Sequence, residues 1–149
     1  MIEFDLEVSP ELLEVLLPFL VKAFRESSGR FASERFVSPS SGDEDFDTAW
    51  SEGLIEDGRV DRLAFSRLLE RSALKSGCVE IPEAEAEEVL RGMTDLRLSL
   101  RERGLQSVTD EDLENGRIEM PTLAPEARMA YLSYLLLAEM QEKLIMAIG

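Results

Sequence analysis

Apolar and acidic residues alternate strictly from Ile2 to Val8, with Ile2, Phe4, Leu6 and Val8 on one side and Glu3, Asp5 and Glu7 on the other. A period of two predicts a strand. Ser9 and Pro10 then read as a helix cap and a first helical residue. The helix they open runs to about Glu26, and its apolar positions (Leu12, Leu13, Val15, Leu16, Leu17, Phe19, Leu20, Val21, Ala23, Phe24) lie nearly all round its girth. Such a helix must be covered on several sides. Pro18, inside it, should bend it or leave a carbonyl near Glu14 without its donor.

From Ser27 to Asp45 large aliphatic residues are scarce and Ser, Gly and acids abound, notably in SPSSGDED. Too few apolar groups are available there to offset the entropy of ordering, so residues 27–45 are expected to form a mobile loop. Helical spacing returns at Phe46, Trp50 and Leu54 and continues through Val60, Leu63, Ala64, Leu68 and Leu69. Gly53 and Gly58 predict a break between two helices, with one long helix as the alternative, and Lys75-Ser76-Gly77 a C-terminal stop.

Cys78 to Ile81 reads as a second short extended piece, ending at Pro82. The segment from Glu83 to about Arg103 is the cleanest amphipathic helix: Val89, Leu90, Met93, Leu96 and Leu100 form its stripe. Acids crowd its start and Arg97, Arg101 and Arg103 its end, as the helix dipole favours. Thr109 caps a short helical turn to about Glu114, and Arg117 to Met120 alternates like a strand. Pro125 opens a last, strongly apolar helix, expected to be the centre of the fold. The predicted architecture is mainly all-α: one compact helical bundle over residues 1–149 around a central C-terminal helix, with a minor short β element.

The chain of 149 residues carries 31 acids against 16 bases, a formal net charge of −15. That field repels nucleic-acid phosphates and anionic membrane surfaces and favours a basic partner or plain solubility. The start of the chain is acidic where a signal peptide is basic, and no apolar run approaches the roughly 20 residues that span a bilayer. The lone Cys78 can form no internal disulfide. A cytoplasmic protein is expected, without nucleic-acid or membrane partners.

The chain has no histidine. That excludes histidine triads, imidazole acid–base catalysis and mixed zinc sites. No Gly-rich nucleotide loop or nucleophile elbow occurs, and no cofactor is implied. Asp43, Asp45 and Asp47 have the opening spacing of a calcium loop, but Thr48 and Leu54 occupy the positions that need glycine and glutamate, so the loop fails. Five Glu-x-x-Glu pairs occur among 22 glutamates. Glu85 with Glu88, and Glu111 with Glu114, resemble the carboxylate pairs that hold Mg²⁺ in all-α nucleotide pyrophosphohydrolases of the MazG type. The second pair ends in glutamate where that family has aspartate, and the pairs read more simply as solvated helix faces. Arg67, Arg71 and Lys75, spaced by four, form one basic stripe that could contact an anion or an acidic partner. Trp50 and Cys78 read as packed residues.

VEIPEAEAEEVLRGMTDLRLSLRERG resembles the start of the C-terminal half of an uncharacterised bacterial family, a domain of unknown function of mostly helical proteins. Asp95, Leu96, Arg97, Leu98, Arg103 and Gly104 carry the likeness, and the last helix resembles that family's closing helix. The resemblance implies no catalytic residues. Some members are encoded beside the ClpS protease adaptor, which implies a role near regulated proteolysis. The expected function is therefore a non-catalytic interaction or regulatory protein, with a metal-dependent carboxylate hydrolase as the alternative. Leu132, Leu136, Met140 and Leu144 form the stripe of the last helix, and Leu135, Leu137, Ile145 and Ile148 widen it. That excess of apolar surface, on the last helix or the first, predicts a homodimer.

Overall fold

A computed structural model describes residues 1–27 and 44–149, without the side chains of residues 44, 46–55 and 57. The loop expected at 27–45 lies, apart from its ends, outside the described residues, as do Asp43 and the side chains of Asp47, Trp50, Phe46 and Leu54. Strand β1 (Ile2–Asp5) leads into helix α1 (Pro10–Glu26), and α2 spans Glu44–Glu70. A 3₁₀ turn (Ser72–Ser76) enters β2 (Cys78–Ile81), and a second (Glu83–Glu85) enters α3 (Ala86–Gly104). The short α4 (Asp110–Asn115), a 3₁₀ turn at Met120–Thr122 and the long α5 (Pro125–Ile148) complete the described chain. The fold is mainly α-helical with a minor β element.

Local chemistry sets these boundaries. Ser9 Oγ accepts a hydrogen bond from the Leu12 amide at 3.2 Å, with Pro10 in the first turn. Thr109 Oγ1 accepts from the Asp112 amide at 3.1 Å. Each cap satisfies an N–H that the helix itself cannot. The two strands pair antiparallel, Ile2 opposite Ile81 and Phe4 opposite Val79. The alternation persists to Val8 but the strand stops at Asp5, after which the Leu6 amide bonds the Gly77 carbonyl at 2.8 Å and the Glu7 amide bonds Glu139.

Three segments differ from the sequence reading, the first being the end of α2, which stops at Glu70 and is followed by a separate 3₁₀ turn before Gly77. No break occurs at Gly53 or Gly58: α2 is one helix of 27 residues. A glycine costs a helix about 1 kcal/mol, which cooperative propagation and the packing of Ala64, Phe65 and Leu68 outweigh. Arg117–Met120 forms no strand. Ile118 and Met120 do turn towards the core while Arg117 and Glu119 face out, so the alternation records burial without a pairing partner.

The core joins Leu13, Leu16 and Leu20 of α1, Phe65 of α2, Val79 and Ile81 of β2, Met93 and Leu96 of α3, and Leu137, Met140 and Leu144 of α5. Helix α5 packs most extensively against α3, and α3 in turn against α2. The centre of the bundle is therefore shared between α3 and α5. Gly104 makes their close approach possible, since a Cβ there would lie 2.6 Å from Ala130 Cβ.

Polar anchors hold this packing in register. Gln141, buried on α5, accepts from Arg97 Nη1 at 2.6 Å and donates to Thr94 Oγ1 and the Leu90 carbonyl. The Arg97 guanidinium also lies 4.5 Å over the Tyr134 ring. Asp61, buried on α2, accepts from Arg91 Nε at 3.0 Å.

Candidate functional site

The sequence of α1 demands cover on several sides, and the structure supplies it fully on one and in part on the flanks, where Leu12, Leu17, Phe19 and Ala23 pack against the core. Leu13, Leu16, Leu20 and Phe24 are buried, whereas Val15 is 55% exposed. Glu14, Leu17, Pro18, Val21 and Arg25 recur at helical spacing along another face. That face forms one wall of an open groove of about 790 Å³. The opposite wall comes from Leu69 of α2 and from Leu74 and Lys75 of the following 3₁₀ turn.

The floor is apolar: the half-buried Leu17, Val21 and Leu69, and the almost fully buried Leu74. Around it stand Lys22, Arg25 and Lys75 against a single acid, Glu14. Lys22 reaches Glu26 only at 4.0 Å and in solvent, and Arg25 and Lys75 have no ion pair among the described residues. Pro18 carries no N–H, so it cannot donate to the Glu14 carbonyl one turn back. In a chain of net charge −15, this is an apolar trough with a locally positive rim.

Of the stripe Arg67, Arg71 and Lys75, only Lys75 reaches the groove. Helix α2 ends at Glu70, so the spacing of four does not lie on one continuous helix. Arg67 pairs with Glu85 at 2.6 Å and Arg71 with Glu80 at 3.6 Å. Both cations thus tie α2 and its end to β2 and the entry of α3. Glu85 is occupied by that bridge, Glu88 is half-buried on α3, and Glu111 and Glu114 are exposed on α4. Among the described residues no three carboxylates, thiols or imidazoles come close enough to hold a metal ion together. Desolvation, followed by the carboxylates of Asp5, Glu80 and Glu3, pushes the Cys78 thiol above its usual pKa. A thiol held in its protonated form is a poor nucleophile.

The residues that carry the family likeness stand apart from the groove. Leu96 is buried in the core, Arg97 binds Gln141, and Gly104 admits Ala130. Arg103 Nη1 donates to the Glu26 carbonyl at 2.9 Å, at the end of α1. Asp95 exerts a field on Arg62, which caps the same helix end. The motif reads as architecture.

Residues 32–148 match the family described as Domain of unknown function (DUF2017). The chain belongs to that family. The match takes in α2, both core helices α3 and α5, and β2, whereas β1 and α1 precede it. The groove thus joins a wall inside the DUF2017 segment to a wall outside it. No curated protein and no solved structure matches the chain. Among the described residues no helix is long and apolar enough to cross a membrane.

Sequence reading alone found one groove residue, Lys75. The signal for the rest was present in α1, where Glu14, Leu17, Val21 and Arg25 share a face. It was masked by the abundance of other apolar positions on the same helix.

Proposed function

We propose that this protein is a non-catalytic interaction or regulatory protein of the bacterial cytoplasm, and that it meets its protein partner through the groove between α1 and the α2 corner. The observation that carries the reading is the groove itself: among the described residues, an apolar floor left open beside the buried face of α1, with cations at its edge. A concave apolar surface with a few charged groups at its edge is the common form of a binding site. The place near regulated proteolysis implied by the family resemblance belongs to the same reading.

A homodimer belongs to it as well. Leu135, Ile145, Met146 and Ile148 are exposed on α5, while Leu136, Met140 and Leu144 fill its buried face. The second copy would cover the exposed face and leave the groove free.

Affinity capture from the native cell, read by mass spectrometry, tests the proposal when the wild-type chain is compared with Val21→Asp. Val21 is half-buried at the groove, so the variant should fold with a helical circular dichroism spectrum. A partner retained by the wild type and lost by the folded variant is expected. Identical captures from both chains would remove the groove from the function.

A further inference from the structure

Resting on the interaction reading above, we propose that the groove takes an acidic amphipathic peptide segment, with apolar side chains on the floor and carboxylates against Lys22, Arg25 and Lys75.

Three features select this chemistry. Leu17, Val21 and Leu69 offer apolar contacts over the groove of about 790 Å³, which the almost fully buried Leu74 also lines. From Glu14 to Arg25 the α1 wall rises about 16 Å at 1.5 Å per residue, enough for two or three turns of a docked helix or for five extended residues. The cations stand on both walls: Lys22 and Arg25 lie at the C-terminal end of α1, and Lys75 lies on the 3₁₀ turn of the opposite wall. Arg25 and Lys75 have no ion pair among the described residues, so a docked carboxylate displaces no existing partner from them. Finally, Pro18 withholds the helix donor from the Glu14 carbonyl, and both residues line the groove. A peptide carries free N–H donors at its first helical turn, or along its length when extended. An acyl chain ending in a carboxylate has none.

The net charge of −15 opposes an acidic partner at long range. Charges are screened beyond a Debye length of about 8 Å at physiological salt, so the rim cations govern the docked state while the whole-molecule field slows the encounter. The acidic peptide should therefore associate slowly and be held by contacts at the groove.

The probe is a fluorescein-labelled twelve-residue peptide of Leu, Glu and Ala, with leucines spaced by three and four. Its counterpart has every Glu replaced by Lys. Fluorescence anisotropy with the full chain should show saturable binding of the acidic peptide and at least tenfold weaker binding of the basic one. Arg25→Glu with Lys75→Glu, both exposed substitutions, should weaken the acidic peptide at least tenfold at an unchanged urea midpoint. Equal binding of the two peptides, no binding of either, or indifference to the double substitution overturns the proposal. A concentration-dependent doubling of mass abolished by Val21→Asp also overturns it and assigns the groove to a second copy. If the acidic peptide fails while Val21→Asp still loses the native partner, the interaction reading stands and only the acidic chemistry falls.

Discussion

Gly92 shows how little space separates α2 from α3. A Cβ at this position would lie 2.8 Å from Phe65 Cβ and 3.3 Å from the Asp61 carbonyl oxygen. Neither is the free end of a flexible chain, so the helices must separate to admit it. Replacing glycine by alanine gains about 1 kcal/mol of helix propensity, but overpacking a close contact costs about 1–3 kcal/mol. Gly92→Ala is therefore expected to lower the urea midpoint; a raised midpoint would show that the helices are not held at this distance. The neighbouring Asp61–Arg91 bridge adds a polar tie at the same crossing, with the carboxylate buried and the guanidinium half in solvent. Each of these residues is legible only once the two helices are brought together, because nothing in the local sequence distinguishes Gly92 from a tolerated helix glycine.

At the scale of elements, the end of α1 is fastened from two directions. Arg62 on α2 donates to Ser27 Oγ at 3.2 Å and to the Phe24 carbonyl at 3.0 Å, with its guanidinium 4.2 Å over the Phe24 ring. Burial lowers the Arg62 pKa and the charge of Asp95 partly restores it. Loss of the charge-assisted bonds to the Phe24 carbonyl and the Ser27 hydroxyl costs about 2 kcal/mol. Arg62→Ala should show that loss by urea denaturation, and Arg62→Lys should recover less than half, since an ammonium lacks the planar fork. Full recovery by lysine would mean that only the charge matters. In α5, Leu136→Asp should unfold the protein: an unpaired core charge costs several kcal/mol against a total stability of about 5–15 kcal/mol. A helical, cooperatively melting Leu136→Asp variant would deny α5 its place in the core. Elements were most legible where one physical device has a single local solution. Ser9-Pro10, Thr109 and the acid-to-base gradient from Glu83 to Arg103 each declare a helix end without tertiary help. The continuity of α2 and the unpaired run Arg117–Met120 were not legible, because one depends on packing partners and the other on the absence of a strand to pair with. The groove was hidden for the same reason: which face of α1 stays open is decided by where α2 ends and where Leu74 and Lys75 turn.

For the molecule as a whole, the groove on α1 and the end of α5 are apolar surfaces outside the core. They make separate predictions. If the end of α5 is covered by a second copy, light scattering coupled to gel filtration should give twice the chain mass of 16.8 kDa at micromolar concentration, and Ile145→Asp with Met146→Asp should return it to a monomer. A monomer of the wild-type chain at that concentration removes the dimer and leaves the groove untouched. The central claim, that the groove is where the protein works, is tested most directly by site-specific photo-crosslinking in the native cell. A photoreactive phenylalanine analogue is placed at Val21 in the groove, or at the exposed Glu111 of α4 as a control. A discrete crosslinked protein from Val21, absent from Glu111 and reduced by Arg25→Glu with Lys75→Glu, is the expected result. The same crosslinks from both positions, or none from Val21, would contradict the account.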